Sequence, residues 1–406
     1  MLTNDNNPPE NRGHLSSDMP STHWISPAFI GTYSAMGLTF MGTLGGFALF
    51  APLQNDINND LGPSSNIEYA PLLNVILSAI SIQIVGRMSD VFGRRWFFII
   101  GTGIGLLASI LGATAHSITQ IIVSQALFGT SLGIGDSFFW VVSEIVPMKW
   151  RYLAVSGQYI YTFPGNPLAA KVAVAFQGTL SSVAILCFTF GQMISGPIAT
   201  CLGSKVAAIS ASIIAAPMLV AAATDPLNRQ LTLGLVATGC LLIGVLEGVS
   251  LIASTFPLKT QGEIGTAGGL VGTTRQFLGS VATAVFTTVL RNREATTIPR
   301  YVNPSVIEAG LPPSSISALI SGLNGATPLN NETVPGYNST IADIADRSWK
   351  MAHAQSYKTV FYVSFGFFAA ALILSWFVPT FDRDKEYFVA GEVQRGAEEA
   401  PNDPKE

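Results

Sequence analysis

Apolar residues in this chain come in long unbroken runs instead of alternating with polar ones. Trp24 to Asn55 contains no Asp, Glu, Lys or Arg. A helix that crosses a bilayer needs about 20 mostly apolar residues, so a first span is expected near residues 27–53. Tyr69 to Gly86 gives a second. Trp96 to Gly135 is uncharged for 40 residues, too long for one crossing, and Ala115-His116-Ser117 divides it into spans at 96–115 and 118–145. A fifth, from Tyr152 to Gln177, is weak because it contains Pro164, Pro167 and Lys171. The sixth covers 181–202, the seventh Val206–Ala223 and the eighth Leu231–Phe256, interrupted by Glu247. The ninth covers Ile264–Leu290, interrupted by Arg275, and the tenth Val360–Val378. The pattern therefore predicts ten spans, or nine if the fifth does not cross. In lipid each span must satisfy its own backbone hydrogen bonds, so these are helices. The dyad alternation of a membrane barrel is absent. Small residues recur at four-residue spacing in Gly42/Gly46, Gly101/Gly105, Gly129/Gly133, Gly265/Gly269 and Gly268/Gly272, as close helix packing in a membrane requires.

Composition narrows the function. Of 406 residues, 49% are hydrophobic and 11% charged, against about 25% charged in an average soluble domain, and mean hydropathy is +0.43. An ordinary soluble enzyme and a disordered chain are both excluded. The net charge of -4 argues against a nucleic-acid partner. Cys187, Cys201 and Cys240 form neither a disulfide framework nor a metal spacing, and His14, His23, His116 and His353 make no metal set, so no cofactor is expected. Gly129-Thr-Ser131-Leu-Gly133 fits G-x-S-x-G, but that elbow needs a strand-to-helix turn and here lies inside an apolar helix. The phosphate loop of an ATPase is absent. What remains is an all-α polytopic membrane protein without enzyme activity. The bilayer is its expected partner.

Residues 1–26 are expected to form a disordered cytosolic N-terminus, with the first span an uncleaved anchor. Residues 27–178 form an N-terminal bundle of spans 1–5, and 179–380 a C-terminal bundle of spans 6–10. Residues 381–406 form a cytosolic tail. Loops facing the cytosol collect Lys and Arg. Arg87, Arg94 and Arg95 lie in the 2–3 loop, Lys149 and Arg151 in the 4–5 loop, Lys205 in the 6–7 loop and Lys259 in the 8–9 loop. The opposite short loops hold only Arg229. Both termini are thus expected in the cytosol and the 291–356 loop outside.

The 2–3 loop reads Gly86-Arg-Met-Ser-Asp90-Val-Phe-Gly93-Arg94-Arg95. Gly86 permits close helix approach and Gly93 a tight turn. Asp90 can pair with Arg94 or with a neighbouring helix and can accept bonds at a helix N-terminus. The loop resembles the G-x-x-x-D-x-x-G-R-[RK] signature of the major facilitator superfamily, with Val91 where that family often has a basic residue. Further stretches (47–74, 86–101, 143–154, 264–286 and 298–316) resemble the fungal trichothecene efflux pump and siderophore-iron transporter group. The resemblance implies a fungal plasma-membrane secondary transporter of fourteen spans, usually proton-driven, and export of a toxin or similar bulky small molecule. Siderophore-iron import is an alternative. The match runs through about Gln177 and then passes to Ser181-Ser182-Val183, which resembles a much later part of the family. About four central spans are therefore expected to be missing, as in a shortened gene model or splice form, and a non-transporting membrane protein stays open. Two other departures concern coupling. Gln125 precedes Gly129 where many drug antiporters carry Arg, and Gly165-Asn-Pro167-Leu-Ala-Ala is a degenerate form of their fifth-span signature.

Charges inside a span are costly unless they face a cavity or a partner. Glu247 and Arg275 lie at similar depth, about 15 Å from the 257–263 loop at 1.5 Å per residue, and are expected to meet across the 8–9 hairpin. Glu247 is the candidate proton carrier or cation site, with Arg275 as partner. The alternative is a static ion pair that orients two helices. Asp136 is a further cavity or helix-packing candidate, and Glu144 is read as an edge ion pair near Lys149 and Arg151. Phe138, Phe139 and Trp140 either line a cavity or face lipid and neighbouring helices. Asn331 and Asn338 head N-x-[ST] sequons in the 291–356 loop, where an outside location allows glycosylation. Expression in a eukaryotic host should therefore give a glycosidase-sensitive mobility shift that is lost when both Asn are replaced. An unshifted band together with protection from external protease would overturn the outside placement.

Overall fold

The computed structural model describes residues 24–62, 64–162, 179–222, 224, 228–256, 261–323, 329–330 and 332–376. Several expectations fall outside these: the two termini, Pro164 to Pro167, Lys171, Lys259 and the sequon residue Asn331. Among the described residues the fold is all-α, with no strand.

The first helix, α1 (Pro27–Asp60), starts where Ser26 caps it by accepting from Phe29 N at 3.2 Å, with Pro27 at the first helical position. Both residues suit a helix start. After a short 3-10 turn, α2 (Tyr69–Phe92) ends at Gly93, whose φ of 85° is open to glycine at little cost. Next come α3 (Arg94–Ala113) and α4 (Ile118–Gly135), which Ser117 caps at Gln120 N. The break expected at 115–117 is thus a capped turn. The expected span 118–145 is divided once more, into α4 and α5 (Phe138–Ile145). Ser137 Oγ there donates to Ile134 O at 2.5 Å, a side-chain bond of the kind that competes with the helical ladder.

The remaining helices are α6 (Arg151–Thr162), α7 (Thr179–Leu202), α8 (Ser204–Ala222), α9 (Arg229–Ala253), α10 (Gln261–Glu308), α11 (Ile316–Leu323) and α12 (Ser339–Trp376). Seven stretches among the described residues are long and apolar enough to cross a membrane, and they correspond to expected spans 2, 3, 4, 6, 7, 8 and 10. Expected spans 1 and 9 lie on α1 and α10. The fifth lies mostly outside the described residues.

The 291–356 segment differs from the loop expected. It is largely helical, because α10 runs for 48 residues and α12 for 38. At 1.5 Å per residue α10 is about 72 Å long, more than twice the ~30 Å of a hydrocarbon core. Charged residues such as Arg291, Arg293 and Glu294 end an apolar run without ending a helix, since Arg and Glu are good helix formers in water.

The chain packs as two compact units. One comprises the described residues of 1–212, 240–279 and 375–406, the other those of 213–239 and 280–374. The second has its own small core of Val302, Val306, Leu311, Leu319, Val334 and Ile341. Beside it, His353 Nδ1 lies 2.9 Å from Glu294 Oε1. Asn338, the described sequon residue, is exposed and caps α12 through Ile341 N at 2.8 Å.

In the first unit, glycines set the helix spacing. A methyl group added at Gly129 or Gly133 of α4 would strike the α2 backbone at Asn74 or Ser78. One at Gly191 of α7 or Gly244 of α9 would strike the backbone of the other helix, at Leu241 or Phe188. Gly129→Ala should therefore destabilise the protein by about 1–3 kcal/mol through overpacking. Gly103→Ala, where an added methyl meets nothing within 4 Å, should leave stability unchanged. Equal melting temperatures for the two variants in detergent would contradict this reading of the α2–α4 contact.

Candidate functional site

Two clusters of charge lie within the first unit, and both rest on α10. The first gathers residues of the 86–95 motif. Gly86 packs against the α10 backbone, where an added methyl would meet Gly265 and Gly269. This brings Asp90 over the early turns of α10, and Asp90 Oδ2 accepts from Thr266 N at 3.1 Å and Thr266 Oγ1 at 3.3 Å. Asp90 Oδ1 pairs with Arg94 Nη2 at 2.8 Å, and the same nitrogen pairs with Glu144. Gly93 makes the turn that returns Arg94 to Asp90, while Arg95 is exposed. The ion pair expected between Glu144 and Lys149 or Arg151 is thus made with Arg94 instead. Fifty residues of sequence separate Arg94 from Glu144, so nothing in the local sequence signalled it.

Arg151, 1% exposed, donates from Nη1 to Thr255 O at 3.2 Å and lies over the Phe256 ring at 5.9 Å. Tyr152 stacks on Phe256 at 5.0 Å. Burial pulls the Arg151 guanidinium down to about 10, with the Glu144 carboxylate acting in the opposite direction. Thr255 and Phe256, just after α9, and Thr266, in the early turns of α10, are each held by such a long-range contact.

The second cluster lies deeper along the helices. Asp136 sits at the α4–α5 junction, where Oδ2 accepts from Gln276 Nε2 at 3.3 Å and lies 3.7 Å from Arg275 Nη1. Arg275 also pairs through Nη2 with Glu247 Oε1. Glu247 Oε2 accepts from Gln192 Nε2 on α7 at 3.1 Å. The structure thus brings together all three intramembrane charges that the sequence singled out, along with Gln192 and Gln276, which it did not. Tyr159 of α6 is a further missed member. It is buried, within electrostatic reach of Asp136, Glu247 and Arg275, and packed against Phe40 and Phe138 with ring centroids 6.0 and 5.6 Å away. Neutral side chains in apolar runs give no composition signal, so Gln192, Gln276 and Tyr159 were not legible.

The cluster contains two carboxylates and one guanidinium, a formal charge of −1. The Arg275 side chain is 37% exposed, against 8% for Asp136, so the cluster is open on the arginine side. An open cluster with one carboxylate in excess can accept a proton or a cationic group. The neighbouring aromatics play a different part: Phe138, Phe139 and Trp140 are at most 1% exposed, and Trp140 lies against Gly268, so they pack between helices. Ser131 donates to Gly101 O at 2.7 Å from within α4 and is not on a nucleophile elbow.

Breaking a buried pair by removing one member costs about 3–5 kcal/mol, because the other charge is left uncompensated. Arg275 is partly exposed, so Arg275→Met should show a smaller but measurable loss in unfolding experiments, and adding Glu247→Gln should recover part of it. Strictly additive losses in that double-mutant cycle would argue against the pair.

Comparison with known proteins follows the same lines. The sequence profile of the fungal trichothecene efflux pumps matches the chain over residues 11–202 and again over 169–395. A trichothecene efflux pump of Trichoderma arundinaceum is 30% identical over 156 residues, 37% of this chain and 24% of that protein. One from Fusarium sporotrichioides is 25% identical over 167 residues, 40% of this chain and 28% of that protein. A siderophore iron transporter of Saccharomyces cerevisiae is 27% identical over 94 residues, 23% of this chain and 14% of that protein. The matched part of the chain thus spans about a quarter of the length of the two efflux pumps.

Proposed function

The chain belongs to the fungal trichothecene efflux pump family, and from that premise we propose that it is a secondary active transporter that exports a bulky, partly apolar small molecule in exchange for protons. The observation that carries this reading is the open cluster of Asp136, Arg275 and Glu247. It joins α9 and α10 to the α4–α5 junction. Alternating access needs a midplane site between moving helices, and an intramembrane ionisable group is by default a functional one. The motif cluster of Asp90, Arg94 and Glu144 serves as a latch that holds one state, since its ion pairs can form in one arrangement of the helices and break in another. The proposed location is the plasma membrane, with both termini in the cytosol.

A second reading is a membrane protein that does not transport, since the matched stretches span only about a quarter of the two efflux pumps. The discriminating experiment is reconstitution of the full chain into liposomes under an imposed pH gradient, with a labelled trichothecene and a labelled ferric siderophore as probes. Gradient-dependent movement of the trichothecene, abolished by a protonophore and insensitive to pH in the Asp136→Asn, Glu247→Gln double variant, is the expected outcome. Movement of the siderophore alone would redirect the substrate. Movement of neither probe would favour the non-transporting reading.

A further inference from the structure

The two carboxylates around Arg275 are not equivalent, and the difference assigns them separate tasks. Glu247 uses both of its oxygens: Oε1 is paired with Arg275 Nη2 and Oε2 accepts from Gln192 Nε2 at 3.1 Å. Asp136 uses one. Its Oδ2 receives Gln276 Nε2 at 3.3 Å and stands 3.7 Å from Arg275 Nη1, whereas Oδ1 accepts no hydrogen bond among the described residues. Asp136 is also the more deeply buried, with 8% of its side chain exposed against 17% for Glu247. Asp136 Oδ1 is therefore free to take a proton without displacing a donor, while the guanidinium is already engaged by Glu247.

The geometry points to Asp136 as the proton-binding group of this cluster, with Glu247 as the permanent counter-ion of Arg275. This rests on the reading of the cluster as the coupling site, and it moves the task from Glu247, where the sequence placed it, to Asp136. The step is simple to balance. One proton adds to the free Oδ1, the Asp136 carboxylate becomes a carboxylic acid, and the cluster passes from a charge of −1 to zero. Gln276 keeps its bond to Oδ2, and Arg275 keeps Glu247. Protonating Glu247 instead would set a new O–H against Arg275 or Gln192, both of which already donate there, and would discharge the nearer of the two carboxylates paired with Arg275. The charged and titratable groups that face Asp136 are Arg275 on α10, Glu247 on α9 and Tyr159 on α6.

Infrared difference spectroscopy of the purified full chain as a function of pH tests the assignment without any transport substrate. Wild-type protein should show a carbonyl-stretch band of a buried carboxylic acid that appears on acidification. Asp136→Asn should lose the band, and Glu247→Gln should keep it but move its titration to lower pH, because Arg275 then turns to Asp136. Labelling only the aspartate carboxyl carbons with ¹³C in wild-type protein should shift the band to lower frequency, a measurement that survives if a variant fails to fold. A band that persists in Asp136→Asn, disappears in Glu247→Gln or ignores the aspartate label would overturn the assignment, as would the absence of any titrating band. If the band behaves as expected while liposomes move neither probe, Asp136 binds the proton and only the transport reading fails.

Discussion

A guanidinium placed among apolar helices has to be neutralised where it stands, and Arg275 is neutralised by residues far apart in the chain. Glu247 is 28 positions before it, reached across the α9–α10 connection, and Asp136 is 139 positions before it, at the α4–α5 junction. An unpaired charge at membrane depth costs several kcal/mol. Arrangements of the first unit that pull α9 and the α4–α5 junction together away from α10 are therefore penalised, whereas loosening of the longer Arg275–Asp136 contact alone leaves Arg275 paired with Glu247. The same ion arrangement that holds the helices together leaves one direction of rearrangement cheap.

Close approach between these helices is set by residues without side chains. In lipid no hydrophobic drive gathers helices, so they associate by tight packing and by hydrogen bonds. Gly86 against Gly265 and Gly269, Gly129 against Asn74, and Gly244 against Phe188 are among the positions where backbone meets backbone. The first of these brings Asp90 within hydrogen-bond reach of Thr266, and the packing of α7 on α9 carries Gln192 to Glu247. Polar contacts in this unit thus follow from glycine placement, and a methyl group at one glycine would disturb a charge cluster that it does not touch.

Features with a local cause were legible in the sequence. The turn at Ala115-His116-Ser117, the Gly93 bend and the apolar runs of most spans follow from residue types at fixed offsets, and they sit where the pattern put them. Glu247 and Arg275 stood out because a charge in an apolar run is conspicuous. Gln192, Gln276 and Tyr159 did not, because neutral polar residues do not interrupt such a run. The partner of Glu144 was also hidden: Lys149 and Arg151 are near in sequence, but Arg94 is brought in by the fold. The helical content of the 291–356 segment was also hidden, because span-finding registers where apolarity stops, and α10 continues beyond that point to Glu308.

Both charge clusters bear on the same stretch of α10, and their separation limits how they can act. Thr266, bonded to Asp90, and Arg275, bonded to Glu247, are nine residues apart, about 13 Å along one helix. Between them Gly268, Gly269 and Gly272 lie against Trp140, α2 and Ile82, a face of close backbone contact, while Thr273 Oγ1 donates to α2 at Ala79 O and Gln83 Oε1, both at 3.1 Å, and Val271 packs on the core. A helix is stiff along its axis, and one with a glycine face can slide or roll against a partner more readily than one with interdigitated side chains. A change of charge at Asp136 alters how strongly Arg275 is held at one end of this stretch, and release of Asp90 from Thr266 frees the other. On the proposal that Asp136 binds the proton, the two clusters share one helix, α10, along which a change at one can act at the other.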